Sequence, residues 1–260
     1  MEKTVTIHPT AVIDPRAELG EGVSVGPYTV IGPDVRIGAR TSVGAHCVLE
    51  GWTEIGEDCR ITHSVCLGQE PQDVKYSGEE TYVRIGSGNL IREYTSIHRA
   101  TGEGNETRIG DDNFIMAYVH IAHNCTVESS TVIASFTALA GHVTVEDHAR
   151  ISGVIPVHQF VRLGRHSIVG GGSRVPKDVL PFVRAAGNPL RVSGLNTVGL
   201  KRAGFEAETM KVLREAYRLI FRSEFNVTQA TERIKSELPP IPEIEHLIKF
   251  IETSERGITI

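Results

Sequence analysis

The run Ile109-Gly110-Asp111-Asp112-Asn113-Phe114-Ile115-Met116-Ala117-Tyr118-Val119-His120-Ile121-Ala122-His123-Asn124-Cys125-Thr126-Val127 places an aliphatic residue at every sixth position. That spacing fits neither the 3.6-residue turn of a helix nor the alternation of an unbroken strand. It fits short strands turned by a corner once per six residues. Read outward on the same phase, the chain carries an aliphatic residue at 26 of the 29 positions from Ile7 to Val175, the exceptions being Asp73, Glu79 and Glu103. Self-similarity at a fixed period decides architecture before any local reading does, and this one predicts a parallel β-helix.

Two residues before the aliphatic the side chain is usually small: Ala11, Ala17, Val23, Thr29, Val35, Thr41, Cys47, Thr53, Cys59, Val65 and Cys125. Alternate residues of a strand share a face, so one large and one small side chain per hexad point inward. Three of the four cysteines are thereby expected to be core filler. The glycines that follow the aliphatics (Gly20, Gly26, Gly38, Gly44 and others) suggest a corner or a positive φ. The breaks in the period imply projecting loops over 69–84 and 100–107, and loops on a rigid scaffold commonly carry function. Beyond Pro189 the period is lost. Helical spacing appears over 206–222, 228–238 and 242–253, predicting a repeat unit over 1–189 and an α-helical unit over 190–260.

Composition narrows the function. A chain of 260 residues with a formal net charge of −5 argues against general affinity for nucleic acid. No segment has the roughly 18 apolar residues that a membrane span requires, and no basic run followed by an apolar stretch opens the chain, so a cytoplasmic location is expected. No cysteines pair in a CxxC pattern, leaving no thiol-based metal site. Charge is uneven, however. Between Phe160 and Gly204 there are eight basic residues (Arg162, Arg165, Arg174, Lys177, Arg184, Arg191, Lys201, Arg202) against the single acid Asp178, a stretch suited to anions.

The repeat resembles that of the hexapeptide-repeat acyltransferases. The resemblance implies a left-handed, three-sided prism and a homotrimer. With three hexads per coil, residues 18 apart stack about 4.8 Å apart on one face. The hexads beginning at Ile121, Leu139 and Val157 then form one column carrying His123, His142 and His158, with His120 at the preceding corner. Gly141 and Gln159 fall in register with His123, and Asn124 with His142. A lone histidine such as His148 or His166 is better explained as a surface residue. Four on one column beside a glycine suit acid/base chemistry with an exposed N–H. Histidines of adjacent coils also bind zinc in hexapeptide-repeat carbonic anhydrases, which leaves a zinc-dependent lyase as the alternative.

A longer signature favours the UDP-N-acetylglucosamine O-acyltransferases. It comprises Gln72-Asp73-Val74-Lys75-Tyr76, Ile97-His98-Arg99, His120-Ile121-Ala122-His123-Asn124-Cys125, Leu139-Ala140-Gly141-His142, Val157-His158-Gln159-Phe160 and Gly199-Leu200-Lys201-Arg202. The resemblance implies transfer of a 3-hydroxyacyl chain from acyl carrier protein to the 3-hydroxyl of UDP-N-acetylglucosamine, the first step of lipid A synthesis, with no cofactor and no metal. It implies His123 as general base, Gly141 N–H as oxyanion donor and His142 as a substrate-positioning neighbour. Asp73 and Lys75, on the first projecting loop, would bind the sugar by reaching a neighbouring subunit's site; His98, His120, His158 and Gln159 would contact sugar, diphosphate or pantetheine; Asn196 and Arg202 would contact the nucleotide; Gly171 would end the acyl groove. Asn124 stands where relatives often carry an acid, so the partner that fixes the His123 tautomer is expected elsewhere. Ala203 and Val198 likewise replace an arginine and an acid.

Overall fold

A computed structural model describes residues 4–260; residues 1–3, the start of the predicted repeat unit, lie outside the described residues. Strands of two to four residues succeed one another from Thr6–Ile7 to Ile168–Val169 and form three sheets, the faces of a left-handed prism. The first face begins with Thr6–Ile7, the second with Val12–Ile13 and the third with Glu18–Leu19. Pairing is parallel with an 18-residue register, as in Thr6↔Ser24 and Ile121↔Leu139↔Val157. At the loops the register lengthens, pairing Arg60 with Leu90 and Ser96 with His120. Those offsets are thirty and twenty-four residues, so the insertions are whole multiples of the hexad. This is why the period returns on its original phase.

The interior is the predicted one. Ile31, Leu49, Ile61, Leu67, Ile91, Ile97, Ile115, Ile121 and Ile133 are fully buried, interleaved with Val23, Thr29, Thr41, Cys47, Thr53, Val65 and Cys125. Burial of each large aliphatic contributes about 1.5–3 kcal/mol. Cys47, Cys59 and Cys125 are buried free thiols; burial pushes the Cys125 thiol up to about 12.

The glycines following the aliphatics do not supply the positive φ. Left-handed backbone falls two residues later, at Arg40, His46, Asp58, Tyr94, Tyr118, Asn124, Phe136, His142, Phe160 and others on that phase. What demands glycine at Gly26, Gly38 and Gly44 is close approach: a Cβ would lie 2.6–2.7 Å from a backbone carbon of the next coil. Most left-handed corners send their N–H to the coil before, for example His142 N to His123 O at 3.0 Å and Phe160 N to Gly141 O at 3.1 Å.

The loops are shorter than expected, because Tyr82–Ile85 and Glu106–Ile109 are strands paired residue for residue on the third face. The projecting segments are therefore 70–81 and 99–105. After the last coil a hairpin extends the first sheet, Val183–Ala186 pairing parallel with Ile168–Val169 and Arg191–Leu195 returning antiparallel to it, so position 189 sits in its turn. Helices α1 (Thr197–Arg202), α2 (Ala207–Phe221), α3 (Val227–Glu237) and α4 (Pro242–Glu252) follow. The last three lie within a residue of the helical spacing; α1, at six residues, is too short to show any. Leu213, Leu219, Leu247 and Phe250 join the same core as the prism aliphatics. No helix among the described residues is long and apolar enough to cross a membrane.

Candidate active site

Second-face strands His120–Ile121, Ala138–Leu139 and Pro156–Val157 stack in register, and the corners leaving them carry the chemistry. His123, Gly141 and Gln159 align, as do Asn124, His142 and Phe160. The His123 ring lies against the Gly141 Cα so closely that a Cβ there would be 2.5 Å from both Cε1 and Nε2. The carbonyl of Gly141 accepts from Phe160, whereas its N–H meets no protein acceptor among the described residues. His142 sets its ring edge-on to His123 at 5.3 Å and stacks on Phe160 at 4.6 Å. Burial, followed by the neighbouring His123, holds the His142 pKa below the usual histidine range.

The partner sought for His123 is Asn124 itself. Its Oδ1 lies 2.8 Å from His123 Nδ1. The amide orientation is unambiguous, because Oδ1 accepts from Thr101 N at 3.0 Å while Nδ2 donates to Thr101 O at 3.1 Å. Nδ1 of His123 must then be the donor, leaving Nε2 as the acceptor. A neutral amide does here what a carboxylate was expected to do.

Asp73, on the first loop, was expected to reach a neighbouring subunit's site; instead it brings its Oδ2 to 3.9 Å from Nε2 of His123 in its own chain, because the loop folds back over the corner that carries this ring. The Lys75 N–H, bonded to Asp73 Oδ1 at 3.0 Å, is the main reason the Asp73 carboxyl sits below its ordinary range, and His123 adds to it. Lys75 is exposed at the loop tip, beside a fully exposed Val74. The loops brace one another: Glu79 accepts from Gly102 N and Ser77 N, which takes its pKa down to about 2. Arg99 is buried and donates to Gly68 O at 2.6 Å and to the Tyr76 hydroxyl at 2.8 Å, pinning the first loop. Sequence reading missed Thr101, Glu79 and Tyr76 as supports, since nothing in the period brings two loops together.

His98 and His120 face each other at 5.1 Å. His98 Nδ1 bonds Glu70 O at 2.7 Å and His120 Nδ1 bonds Ser96 Oγ at 2.8 Å. Burial lowers both pKa values, that of His120 to about 4. His120 is not at a corner. It opens a strand, because the turn ends at Tyr118. His158 and Gln159 are exposed further along the same edge.

The remaining predicted residues lie on other edges of the prism. Asn196 and Arg202 line a cavity of about 470 Å³ with His148, Arg150, His166 and Ile168, at the corner between the third and first faces. The Asn196 side chain caps α1 through Gly199 N and donates to His166 O, so its polar atoms hold the cavity wall. His166 is not a surface residue. It is buried between His148 (4.6 Å) and Phe182, and burial lowers its pKa to about 4. Gly171 sits on the third edge, where a Cβ would meet only Gly153 O at 3.3 Å and Ser152 Cβ at 3.8 Å. Of the eight basic residues from Arg162 to Arg202, only Arg162 is ion-paired among the described residues, to Glu146. A single chain thus gathers the histidine ridge with Asp73 and Lys75, but not with Arg202 or Gly171.

Comparison with known proteins accounts for both parts. Residues 106–141 match the bacterial transferase hexapeptide (six repeats) model, and 178–259 match UDP N-acetylglucosamine O-acyltransferase, domain 2. Acyl-(acyl-carrier-protein)–UDP-N-acetylglucosamine O-acyltransferases of Myxococcus xanthus and Thermodesulfovibrio yellowstonii are 48% and 50% identical, each over 97% of this chain and 98% of theirs. Among solved structures, the UDP-N-acetylglucosamine acyltransferase of Bacteroides fragilis superposes with a TM-score of 0.95 at 37% identity, over 97% of this chain and 99% of that one. These relatives lend the zinc-lyase alternative no support. Identity near one half over almost the whole length, on the same prism, makes this chain a member of the UDP-N-acetylglucosamine O-acyltransferase family.

Proposed function

We propose that this chain moves a 3-hydroxyacyl group from acyl carrier protein to the 3-hydroxyl of UDP-N-acetylglucosamine, opening lipid A synthesis, with His123 as general base. The observation that carries the reading is the state of His123: Nδ1–H held by Asn124 at 2.8 Å, Nε2 open beside Asp73 and Gly141. A hydroxyl oxygen about 2.8 Å from both Nε2 and Asp73 Oδ2 fits geometrically between atoms 3.9 Å apart. It would donate to Nε2 as it attacks the thioester carbonyl. The C–S bond then breaks, the thiol of the carrier leaves with the proton returned by His123, and no covalent enzyme intermediate forms. Gly141 N–H, without a protein acceptor, is suited to the developing oxyanion. Lys75, His98, His120, His142, His158 and Gln159 would position sugar, diphosphate and pantetheine along that edge.

The assembly would be a cytoplasmic homotrimer, built from a repeat unit over 1–189 and a helical unit over 190–260. What supports a trimer is that Arg202 and Gly171 occupy prism edges other than that of His123, so a complete site needs faces from adjacent subunits. Diphosphate and carrier protein are both anionic, which suits the unpaired basic residues near Arg202. The test is His123→Ala assayed with UDP-N-acetylglucosamine and 3-hydroxyacyl carrier protein. Losing a general base costs about 10²–10⁴-fold, so kcat should fall at least about a hundredfold while the fold and substrate affinity persist. A folded variant that keeps most of its kcat would refute the assignment.

A further inference from the structure

On the first face the outward side chains of successive coils form a column. Leu90, Phe114 and Val132 follow one another in register, and this apolar stretch ends at Arg150, which is followed by Ile168. The change from apolar to basic comes at the level of the cavity beside α1, which Arg150 and Ile168 both line. Arg150 is exposed and makes no ion pair among the described residues, so no acid of this chain accounts for a guanidinium there. Helix α1 contributes Arg202 to the same cavity, while Ala203 offers only a methyl group. His148 and His166 complete the polar lining, and the buried His166, with its pKa lowered to about 4, adds no charge near neutral pH. Asp147, whose field reaches His166, does not line the cavity and has its Oδ1 taken by Ser129 N at 3.0 Å. Two guanidinia on separate elements therefore border about 470 Å³, a volume suited to a small molecule, with no carboxylate in the lining.

We propose that Arg150 is a further substrate-binding residue, which grips the diphosphate of the UDP-sugar together with Arg202. The proposal rests on this cavity being the place of the nucleotide. A guanidinium presents a planar fork of donors that matches two phosphate oxygens, and a diphosphate has one such face for each arginine. Two like charges at one cavity also repel each other, and a multiply charged anion relieves that repulsion. Ile168 and Val198 leave apolar surface for the uncharged part of the ligand. The phosphate of the carrier's pantetheine shares this chemistry, so the test must separate the two sources.

The experiment is titration calorimetry of the full chain with UDP and with uridine, in the parent, Arg150→Met and Arg150→Lys. Methionine keeps an unbranched stem and deletes the charge. Arg150→Met should bind UDP about tenfold or more weakly, a loss that shrinks as salt is raised. Uridine, which has no phosphate, should bind as it does to the parent. Arg150→Lys should recover part of the loss, since the charge returns without the fork. Equal losses for UDP and uridine would mean that Arg150 only shapes the cavity, and no loss for either would take it out of the site; both results overturn the proposal. A raised KM for the acyl carrier protein with UDP affinity unchanged would overturn it in favour of the pantetheine phosphate. A changed oligomeric state with UDP affinity unchanged would overturn it in favour of a contact between subunits. If the parent itself bound neither UDP nor uridine, the nucleotide reading of the cavity would fall, and the proposal with it.

Discussion

Replacing Gly141 by alanine should disable the enzyme without unfolding it. A methyl group at this position would lie 2.5 Å from His123 Cε1 and Nε2, where ordinary contact begins near 3.4 Å. The backbone cannot yield easily, since Gly141 O is bonded to Phe160 N and the next residue's N–H to His123 O. The ring must therefore retreat by about 1 Å, drawing Nδ1 away from Asn124. Misplacing a reacting group by about that distance costs on the order of 10²-fold in rate, or about 2.7 kcal/mol of barrier. Gly141 has no left-handed backbone, so alanine adds no dihedral strain, and its smaller unfolded-state entropy offsets part of the crowding. The assay is kcat with saturating substrates, together with a melting curve. Combining Gly141→Ala with His123→Ala should give no further loss, because both act on one ring. A Gly141→Ala enzyme within about threefold of parental kcat would mean that the ring does not work from this position.

Three further expectations follow from the structure. Arg202→Ala should raise KM for UDP-N-acetylglucosamine with kcat nearly intact, and should flatten its salt dependence; an unchanged KM removes the cavity beside α1 from nucleotide binding. Gly171→Met should shift preference toward shorter acyl chains, since each buried substrate methylene is worth about 0.8 kcal/mol and a Cβ there would meet only Gly153 O at 3.3 Å and Ser152 Cβ at 3.8 Å; an unchanged preference takes Gly171 out of the acyl groove. Stability should fall as pH drops from 6.5 toward 4, because His120 and His166 titrate near 4 when folded and at the ordinary 6.5 when unfolded, so the unfolded chain binds more protons in that window. Melting temperatures should show that slope, reduced in His166→Phe, and a flat profile would contradict the buried neutral histidines.

The prism was legible in the sequence because one aliphatic residue per hexad is a geometric requirement repeated along most of the chain. Column arithmetic then put Gly141 in register with His123, and the His123 ring is what a Cβ at Gly141 would meet. The period could not show which hexad position bends left-handed, since side chains as different as Tyr118, Asp112 and Val154 take that conformation. Nor could it show loop-to-loop contacts, which depend on how two insertions fold against each other. The Asn124 amide was misjudged for a related reason. A residue type says what a side chain can bond to, but its orientation is set by Thr101, a residue 23 positions away.

The left-handed corners also bear on how the molecule opens. Among the described residues, seventeen other than glycine adopt positive φ, a conformation that costs roughly 1–2 kcal/mol at each L-residue. A coil with three such corners is unstable alone, and what retains it is the coil on either side. Among the described residues the first coil packs on one other coil, and Ile7 and Val12 there are 47% and 64% exposed, whereas the last coil is closed by the hairpin and helices. Amide exchange should therefore be graded along the axis, with fraying from Thr6 inward and the slowest exchange in the coils that hold His123 and Gly141.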